Sequence, residues 1–597
     1  MSTRRTMVVS QDASETMQAL EDEDWIGLDL ETSGLSPWTS KTAVVTLYGK
    51  QGHFTGVIHV RGQLASPQYS TFREWLGSPK RKYVTHNGIG FDILFLAVAG
   101  VDVFSPTWYD TMVGEAATLK SDRHDLSRTL RDTLMRRLRK EIDKTQQVST
   151  WMALHLTPEQ VEYCCGDVQY LPDLRLKQYQ EVANDRRAEA IALEMDIAPV
   201  VIRMMVNGLP LHLPSVKMYL LKQAVTAQEH EDILHQLLGP VNLASPVALK
   251  RAIAAQGYGD IPGTSAEVLQ NYALYTEGPL ATIAEHLLAY RPAKKRMSMF
   301  SDDWQETYAI HHGAQDAEYF AIPHSSPDIR WIHARYKQLG TNTGRFSSSD
   351  PNAQQIPKDA RTLFGNIPGY KVVSCDYAAL EVRVAANVAN DKALIAIFEA
   401  EGPESDLHRS IAAQLFDKPV EDITATERRI AKAVSFTLLF GGGANLLYSY
   451  ARMSGSIISL EMSRHIVSKF FTEFKGLNDM RRRALSMASR YPAVPIDLPQ
   501  GLRRVLAGND LTATRILNTT VQGTAAAGLK YALLKCQERH LDTWLCATVH
   551  DELVAVVPER YAEEYAVDLQ RAMVDGMREV LDVVPVKAAY EVGDTWK

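Results

Sequence analysis

Three strand-like runs in this 597-residue chain end in carboxylates: Trp25-Ile-Gly-Leu-Asp29-Leu-Glu31, Tyr370-Lys-Val-Val-Ser-Cys-Asp376 and Leu545-Cys-Ala-Thr-Val-His550-Asp551-Glu552. Side chains alternate across a strand, so residues two apart share a face, and Asp29 and Glu31 project together. Acids on one face repel each other unless a cation holds them, which makes a divalent metal site the natural use of such a pair. Around the first run, strand-like and helical stretches alternate to about residue 180, the pattern of a sheet covered by helices.

The rest of the chain is long enough for several cores. With 45% hydrophobic and 23% charged residues it has globular, soluble composition, and at about 150 residues per domain it holds about four domains. No apolar run approaches the ~18 residues of a membrane span, and the first twenty residues lack the apolar core of a secretory signal. Five cysteines (164, 165, 375, 536 and 546), with no CxxC pair, point to a reducing compartment and against a cysteine-bound zinc. The formal charge of −7 (64 basic against 71 acidic) does not itself call for nucleic acid. Local basic stripes decide that question more than the sum does.

Two further acids extend the first set. Asn87-Gly-Ile-Gly-Phe-Asp92 puts Asp92 where a glycine-rich turn enters an apolar helix, and Tyr163-Cys-Cys-Gly-Asp167 spaces a phenol and an acid one helical turn apart. Four acids and a phenol suit hydrolysis of a phosphodiester by two metal ions, one activating water and the other stabilising the leaving oxygen. The set resembles the tyrosine version of the DEDD-type 3′–5′ exonucleases. On that resemblance Asp29, Glu31, Asp92 and Asp167 are metal ligands or their supports, and Tyr163 positions the water.

Between the second and third acid-ended runs lies a helix with a capping-box start at Thr424-Ala-Thr-Glu427 and a glycine stop at Gly441-Gly-Gly443. Along it Arg428, Lys432, Phe436 and Phe440 follow at steps of four, drifting only about 40° per step, so they form one slowly turning stripe. Two cations followed by two aromatics suit a nucleoside triphosphate, with phosphates at one end and sugar and base at the other. An amphipathic helix with its cations outside and its phenylalanines in the core would give the same spacing. The third run reads as a hairpin presenting Asp551 at its turn, so Asp376 and Asp551 could converge on one sheet face.

Thr343-Gly-Arg345-Phe-Ser-Ser-Ser-Asp-Pro351-Asn352-Ala-Gln-Gln355, the run Asp376-Tyr377-Ala-Ala-Leu-Glu381-Val-Arg383, the 428–441 helix, Gln522-Gly-Thr-Ala and Val549-His550-Asp551-Glu552 occur in that order. Together they resemble the polymerase region of family A DNA polymerases, the bacterial DNA polymerase I class and its phage relatives. The resemblance implies that Asp376 and Asp551 hold two catalytic Mg²⁺ ions, with Glu552 a nearby acid. It implies a nucleotide site made of Arg428, Lys432, Phe436, Phe440, His408, Tyr377 and Glu381. In that site Glu381 bars a ribose 2′-OH and Lys432 serves as a proton donor. Arg345, Gln522, His550, Asn352 and Gln355 are then DNA contacts.

The implied fold class is α/β multidomain: an RNase H-like 3′–5′ exonuclease domain followed by a right-hand polymerase of thumb, palm and fingers. The expected boundaries are 1–185 for the exonuclease, 186–335 for the thumb and connecting region, and 336–404 for the first part of the palm. The fingers follow at 405–490 and the second part of the palm at 491–597. The expected cofactor is Mg²⁺, two per active site, with Mn²⁺ as a substitute. Primer-template DNA and dNTPs are the expected partners, with helicase and single-strand binding protein as accessory candidates. A cytoplasmic monomer is expected, without a 5′-nuclease domain ahead of residue 25 or a large thumb insertion, a phage-like layout. Two other classes fit the same outline, a nuclease with a retired polymerase half and a non-catalytic replication scaffold. A reverse transcriptase is a rival within the polymerases. Phe440 and Ala379 depart from the family pattern, which usually has Tyr and Gln there.

Overall fold

The computed structural model describes residues 6–119, 126–312, 322, 326–400, 406–453, 455–456 and 458–597. Its N-terminal part is built on a six-stranded sheet with β1 at Thr6–Ser10, β2 at Ile26–Thr32, β3 at Thr42–Gly49, β4 at Phe54–Ile58, β5 at Lys82–Thr85 and β6 at Thr107–Asp110. The order is β1-β4-β3-β2-β5-β6. β2, β3 and β4 run antiparallel to one another, while β5 and β6 are parallel to β2. Burial of every residue of β3 and β4 explains why they are near-continuous apolar runs rather than alternating ones.

Helix Pro158–Val168 starts at a capping box formed by Thr157 and Gln160. It lies directly against β2, because a Cβ at Gly27 would stand 2.7 Å from the Val168 carbonyl oxygen. Only a glycine there lets the helix carry Asp167 up to the acids of β2.

Helices Leu213–Leu238, Pro246–Ala255, Ala266–Tyr275 and Pro279–Met299 form a bundle with its own apolar core, including Leu234, Leu249, Ile283 and Leu287. Ahead of that bundle the chain is helical in three pieces, Leu171–Val182, Arg187–Asp196 and Ala198–Asn207. Pro199 sits in the first turn of the last of these, where its missing N–H costs nothing.

A four-stranded antiparallel sheet forms the centre of the C-terminal half, in the order Leu545–Val549, Glu552–Pro558, Tyr370–Tyr377, Ala588–Gly593. Helices Ala513–Glu538 and Ala562–Arg578 pack together behind it. They approach closely at Gly576, where any side chain would overlap the backbone of Ala532. Between the first two strands of this sheet in sequence, Tyr370–Tyr377 and Leu545–Val549, come the helices Leu407–Phe416, Ala425–Leu438, Ala444–Met453, Leu460–Glu473 and Lys475–Arg490. One continuous apolar core runs from the six-stranded sheet into this half. At the junction the Lys530 ammonium pairs with the Glu194 carboxylate, both buried, and Gln338 donates to Glu194 at 3.2 Å.

Candidate active sites

The first acid cluster stands at the end of β2. Carboxylate oxygens of Asp29, Glu31 and Asp167 lie within 4.8 Å of one another, the separation a single divalent cation bridges. Asp92 opens helix Asp92–Val98, is buried, and accepts the Leu30 N–H at 2.9 Å, so it braces the strand from beneath. Burial and mutual repulsion push these acids toward their protonated forms. Burial first, then Asp167, lifts Glu31 to about 9. Burial lifts Asp92 to about 7, and Asp29 is held well above the usual carboxylate range by burial and then by Asp92, Asp167 and Glu31. A ring of hard oxygen donors that cannot all ionise unaided fits Mg²⁺ or Mn²⁺.

Sequence reasoning missed the cation already present. Lys144 donates to both oxygens of Asp167 at 2.7 Å and to the Tyr163 hydroxyl at 3.3 Å, and its ammonium lies 4.9 Å from the Tyr163 ring centre. It lies on a non-helical segment between helices Leu130–Leu138 and Pro158–Val168, so no periodicity marks it. The cluster forms the floor of a cavity of about 1100 Å³. Strand Arg335–Lys337 of the C-terminal half lines that cavity as well, tied to the first half by the Arg335 guanidinium on the Leu35 carbonyl. The chemistry such a site supports is hydrolysis of a polyanionic ester, with acids for metal and basic groups for phosphate.

The second cluster forms where the hairpin meets strand Tyr370–Tyr377. Asp376 is directly opposite Glu552 in the ladder, and the turn consists of His550, at φ 60, and Asp551. The two distant aspartates therefore meet at one end of the sheet. Asp376 is accessible to water, yet protein crowds it and bulk solvent does not surround it. That burial, followed by the charges of Asp551 and Glu552, raises it to about 7. Burial also raises Asp551, against the opposing pull of Arg345. Glu552 is drawn away from the pair, accepting the Trp596 indole N–H at 2.7 Å and pairing with Arg361 at 2.9 Å. Two carboxylates at one sheet end, both raised by burial and Asp376 further by the charge of Asp551, are a fit for divalent cations of the same hard class.

Tyr377 does not share the Asp376 face. Strand alternation turns it inward, where it is buried and its hydroxyl donates to the Met573 carbonyl at 2.6 Å. Any contact of Tyr377 with a nucleotide is thereby limited to its backbone. Past it, Ala379 takes a left-handed conformation, φ 52, at the start of helix Leu380–Ala389. A non-glycine residue there carries strain of order 1 kcal/mol, and the bend carries Glu381 into the first turn of that helix.

The cation–aromatic stripe lies outside the core. Helix Ala425–Leu438 has both halves of the capping box, Thr424 and Glu427, and buries Ile430, Ala431, Ala433, Val434, Thr437 and Leu438. Lys432 is exposed, Phe436 is 45% exposed and Phe440 is half-buried just beyond the helix end. An exposed phenylalanine in line with an exposed lysine excludes the amphipathic alternative, in which Phe436 would be core. Arg428 donates to Asp406 at 2.9 Å, and Asp406 caps the helix that carries His408. Burial and then the cations Arg428 and Lys432 lower His408 to about 4, which puts three basic side chains within one electrostatic neighbourhood.

Arg345 lies on the turn before strand Ser347–Ser349 and donates to Glu381 at 2.6 Å. With His550, Asp551 and Gln354 it lines a small recess against helix Ala513–Glu538, the helix that carries half-buried Gln522. Asn352 is exposed and caps the turn at 353–355 by accepting the Gln354 N–H at 3.1 Å, and Gln355 is exposed beside it.

Residues 217–597 match the family described as DNA polymerase family A, and residues 5–182 match a 3′–5′ exonuclease family. A DNA polymerase I of Aquifex aeolicus is 26% identical over 87% of this chain and 89% of its own length. One of Pseudomonas aeruginosa is 27% identical over 97% of this chain and 64% of its own length. The fold is that of the polymerase domain of Pol1 from M. smegmatis, solved in complex with DNA primer-template and dNTP. The TM-score is 0.78 at 22% identity, over 99% of each chain. These relatives are bacterial, and none speaks for the phage-like origin suggested by the layout. No described helix is long and apolar enough to cross a membrane. With its polymerase region and exonuclease region both matched, the chain belongs to DNA polymerase family A and carries a 3′–5′ exonuclease domain.

Proposed function

We propose that this chain extends a primer 3′-OH on a DNA template at the Asp376–Asp551 centre and trims mispaired 3′ ends at the Asp29–Glu31–Asp167 centre. The observation that carries the reading is that one chain converges two separate acid clusters, each short of positive charge for a metal, at the ends of two different sheets.

In this reading Asp376 and Asp551 hold two Mg²⁺ ions, which when bound acidify the primer hydroxyl and neutralise the triphosphate. Arg428, Lys432 and His408 bind the triphosphate, and Lys432 hands a proton to the departing pyrophosphate as the bond to the α-phosphorus changes partners. Phe436 and Phe440 pack against sugar and base, and Glu381 faces the sugar edge. Arg345, Gln522, His550, Asn352 and Gln355 hold primer and template. At the other centre Asp29, Glu31, Asp92 and Asp167 hold or brace the ions, and Tyr163 with Lys144 orients the attacking water. The exonuclease then spans about residues 1–185, the thumb and connecting region 186–335, the palm 336–404 and 491–597, and the fingers 405–490. The setting is a bacterial cytoplasm, where dNTPs and Mg²⁺ are abundant, with helicase and single-strand binding protein as accessory partners.

A 5′-labelled primer annealed to a longer DNA template, incubated with Mg²⁺ and with or without dNTPs, tests the reading. Extension with dNTPs and shortening without them is the expected pattern. Shortening in both lanes with no extension under any condition would refute the polymerase assignment.

A further inference from the structure

The Glu381 carboxylate is held by a partner of its own. Its Oε1 accepts a hydrogen bond from Arg345 Nη2 at 2.6 Å, with the two side chains 24% and 30% exposed. Arg345 is in turn fixed from its own side, since its N–H donates to the Thr341 hydroxyl at 3.0 Å and that hydroxyl donates back to the Arg345 carbonyl at 3.3 Å. Gly344, at φ 77, makes the turn that allows this closure. Arg345 and Asp551 line one recess, where the guanidinium favours the Asp551 carboxylate and Glu381 opposes it.

We infer that Arg345 is a positioning residue for Glu381, so that discrimination between deoxyribo- and ribonucleoside triphosphates is a property of the Arg345–Glu381 pair. The inference rests on the reading that Glu381 faces the sugar. Its physical basis is electrostatic. Without the guanidinium, Glu381 is a partly buried carboxylate that has lost the donor holding its Oε1, and the side chain is free to turn toward water, opening the space next to C2′. With the guanidinium present, one donor fixes Glu381 and the remaining donors stay available for a nucleic-acid acceptor. A seated primer end and a fixed sugar barrier then share one side chain.

Single-nucleotide insertion of dATP and of ATP opposite template T, as kcat/KM ratios, tests this with Glu381→Ala, Arg345→Gln, Arg345→Lys and the double variant Arg345→Gln/Glu381→Ala. Primer shortening by each variant serves as the folding control. Arg345→Gln is expected to lower the dATP:ATP ratio about tenfold or more, while Arg345→Lys, which keeps the cation, retains most of it. The double variant should discriminate no worse than Glu381→Ala alone, the non-additivity of residues acting as one unit. If Arg345→Gln slows dATP and ATP equally while Glu381→Ala loses discrimination, the pairing inference is wrong and the sugar-facing reading stands. If Glu381→Ala keeps the wild-type ratio, that reading falls and the inference with it.

Discussion

The acids of the first cluster make metal binding strongly dependent on pH. In the metal-free chain Glu31 titrates at about 9 and Asp92 at about 7, with Asp29 also well above its ordinary range, so near neutrality the cluster holds protons that a cation must displace. Each carboxylate that loses a proton on binding contributes a factor of about ten in affinity per pH unit, or about 1.4 kcal/mol. Glu31 remains protonated across the whole range below 9, so between pH 6.5 and 8.5 it alone should raise Mg²⁺ affinity about 100-fold. Asp92 adds to this only below about 7.

The sign for stability runs the other way in the absence of metal. Glu31 is raised from 4.5 in the folded chain, so between those limits the native state binds more protons than the unfolded one. Metal-free stability therefore falls as pH rises from about 4.5 toward about 9. Thermal melts of Asp551→Asn protein, which removes the second centre, at four pH values with and without MgCl₂, read both effects. Calorimetry in two buffers of different ionisation enthalpy counts the protons released. Expected are a metal-free melting temperature that drops with pH and a Mg²⁺-induced rise that grows with it. A melting temperature flat from pH 6 to 9, with a Mg²⁺ effect equally flat and no proton release, would refute the account of this cluster.

Asp29→Ala should abolish shortening and leave extension, and Asp551→Ala the reverse, each by a factor of about 10³ or more on the labelled-primer gel. Lys144→Met removes the ammonium from Asp167 and Tyr163, and should slow shortening about 10- to 100-fold in single-turnover assays while extension keeps its rate. Lys530→Met leaves buried Glu194 unpaired and should cost about 3–5 kcal/mol by denaturant melt. Lys530→Met/Glu194→Met recovers most of that, because the pair itself is close to neutral once desolvation is counted.

What could be read from the sequence was whatever local periodicity dictates. Period two placed Asp29 beside Glu31, the capping box at Thr424 set the start of the stripe helix, and the run around Asp551 gave the hairpin. β1 was not anticipated because it is five residues long and largely solvent-exposed, so burial imposes no pattern on it. Lys144 lies 19 residues from Tyr163 and 23 from Asp167 on a segment without regular structure, and only the folded chain brings them together. The join of Glu194 to Lys530 spans 336 residues and depends on how two sheets share one core. The inward turn of Tyr377 was implicit in alternation, but a motif names residues without saying which part of each faces the cleft.

The two centres solve one electrostatic problem in different ways. Several carboxylates must stand close enough to bind metal, and each must be tolerable before metal arrives. At the first centre a single ammonium, Lys144, is inserted among the acids and neutralises Asp167 directly. At the second centre the excess charge is led away from the metal-binding pair. Glu552 is drawn off by Arg361 and Trp596, Glu381 by Arg345, and Asp376 and Asp551 remain with no salt-bridge partner of their own among the described residues. A centre neutralised from within must displace or share its cation when metal binds, whereas a centre relieved at its edges leaves its two aspartates free to receive metal without rearrangement. That difference makes Lys144 the side chain through which metal affinity of the first centre can be changed without touching the second.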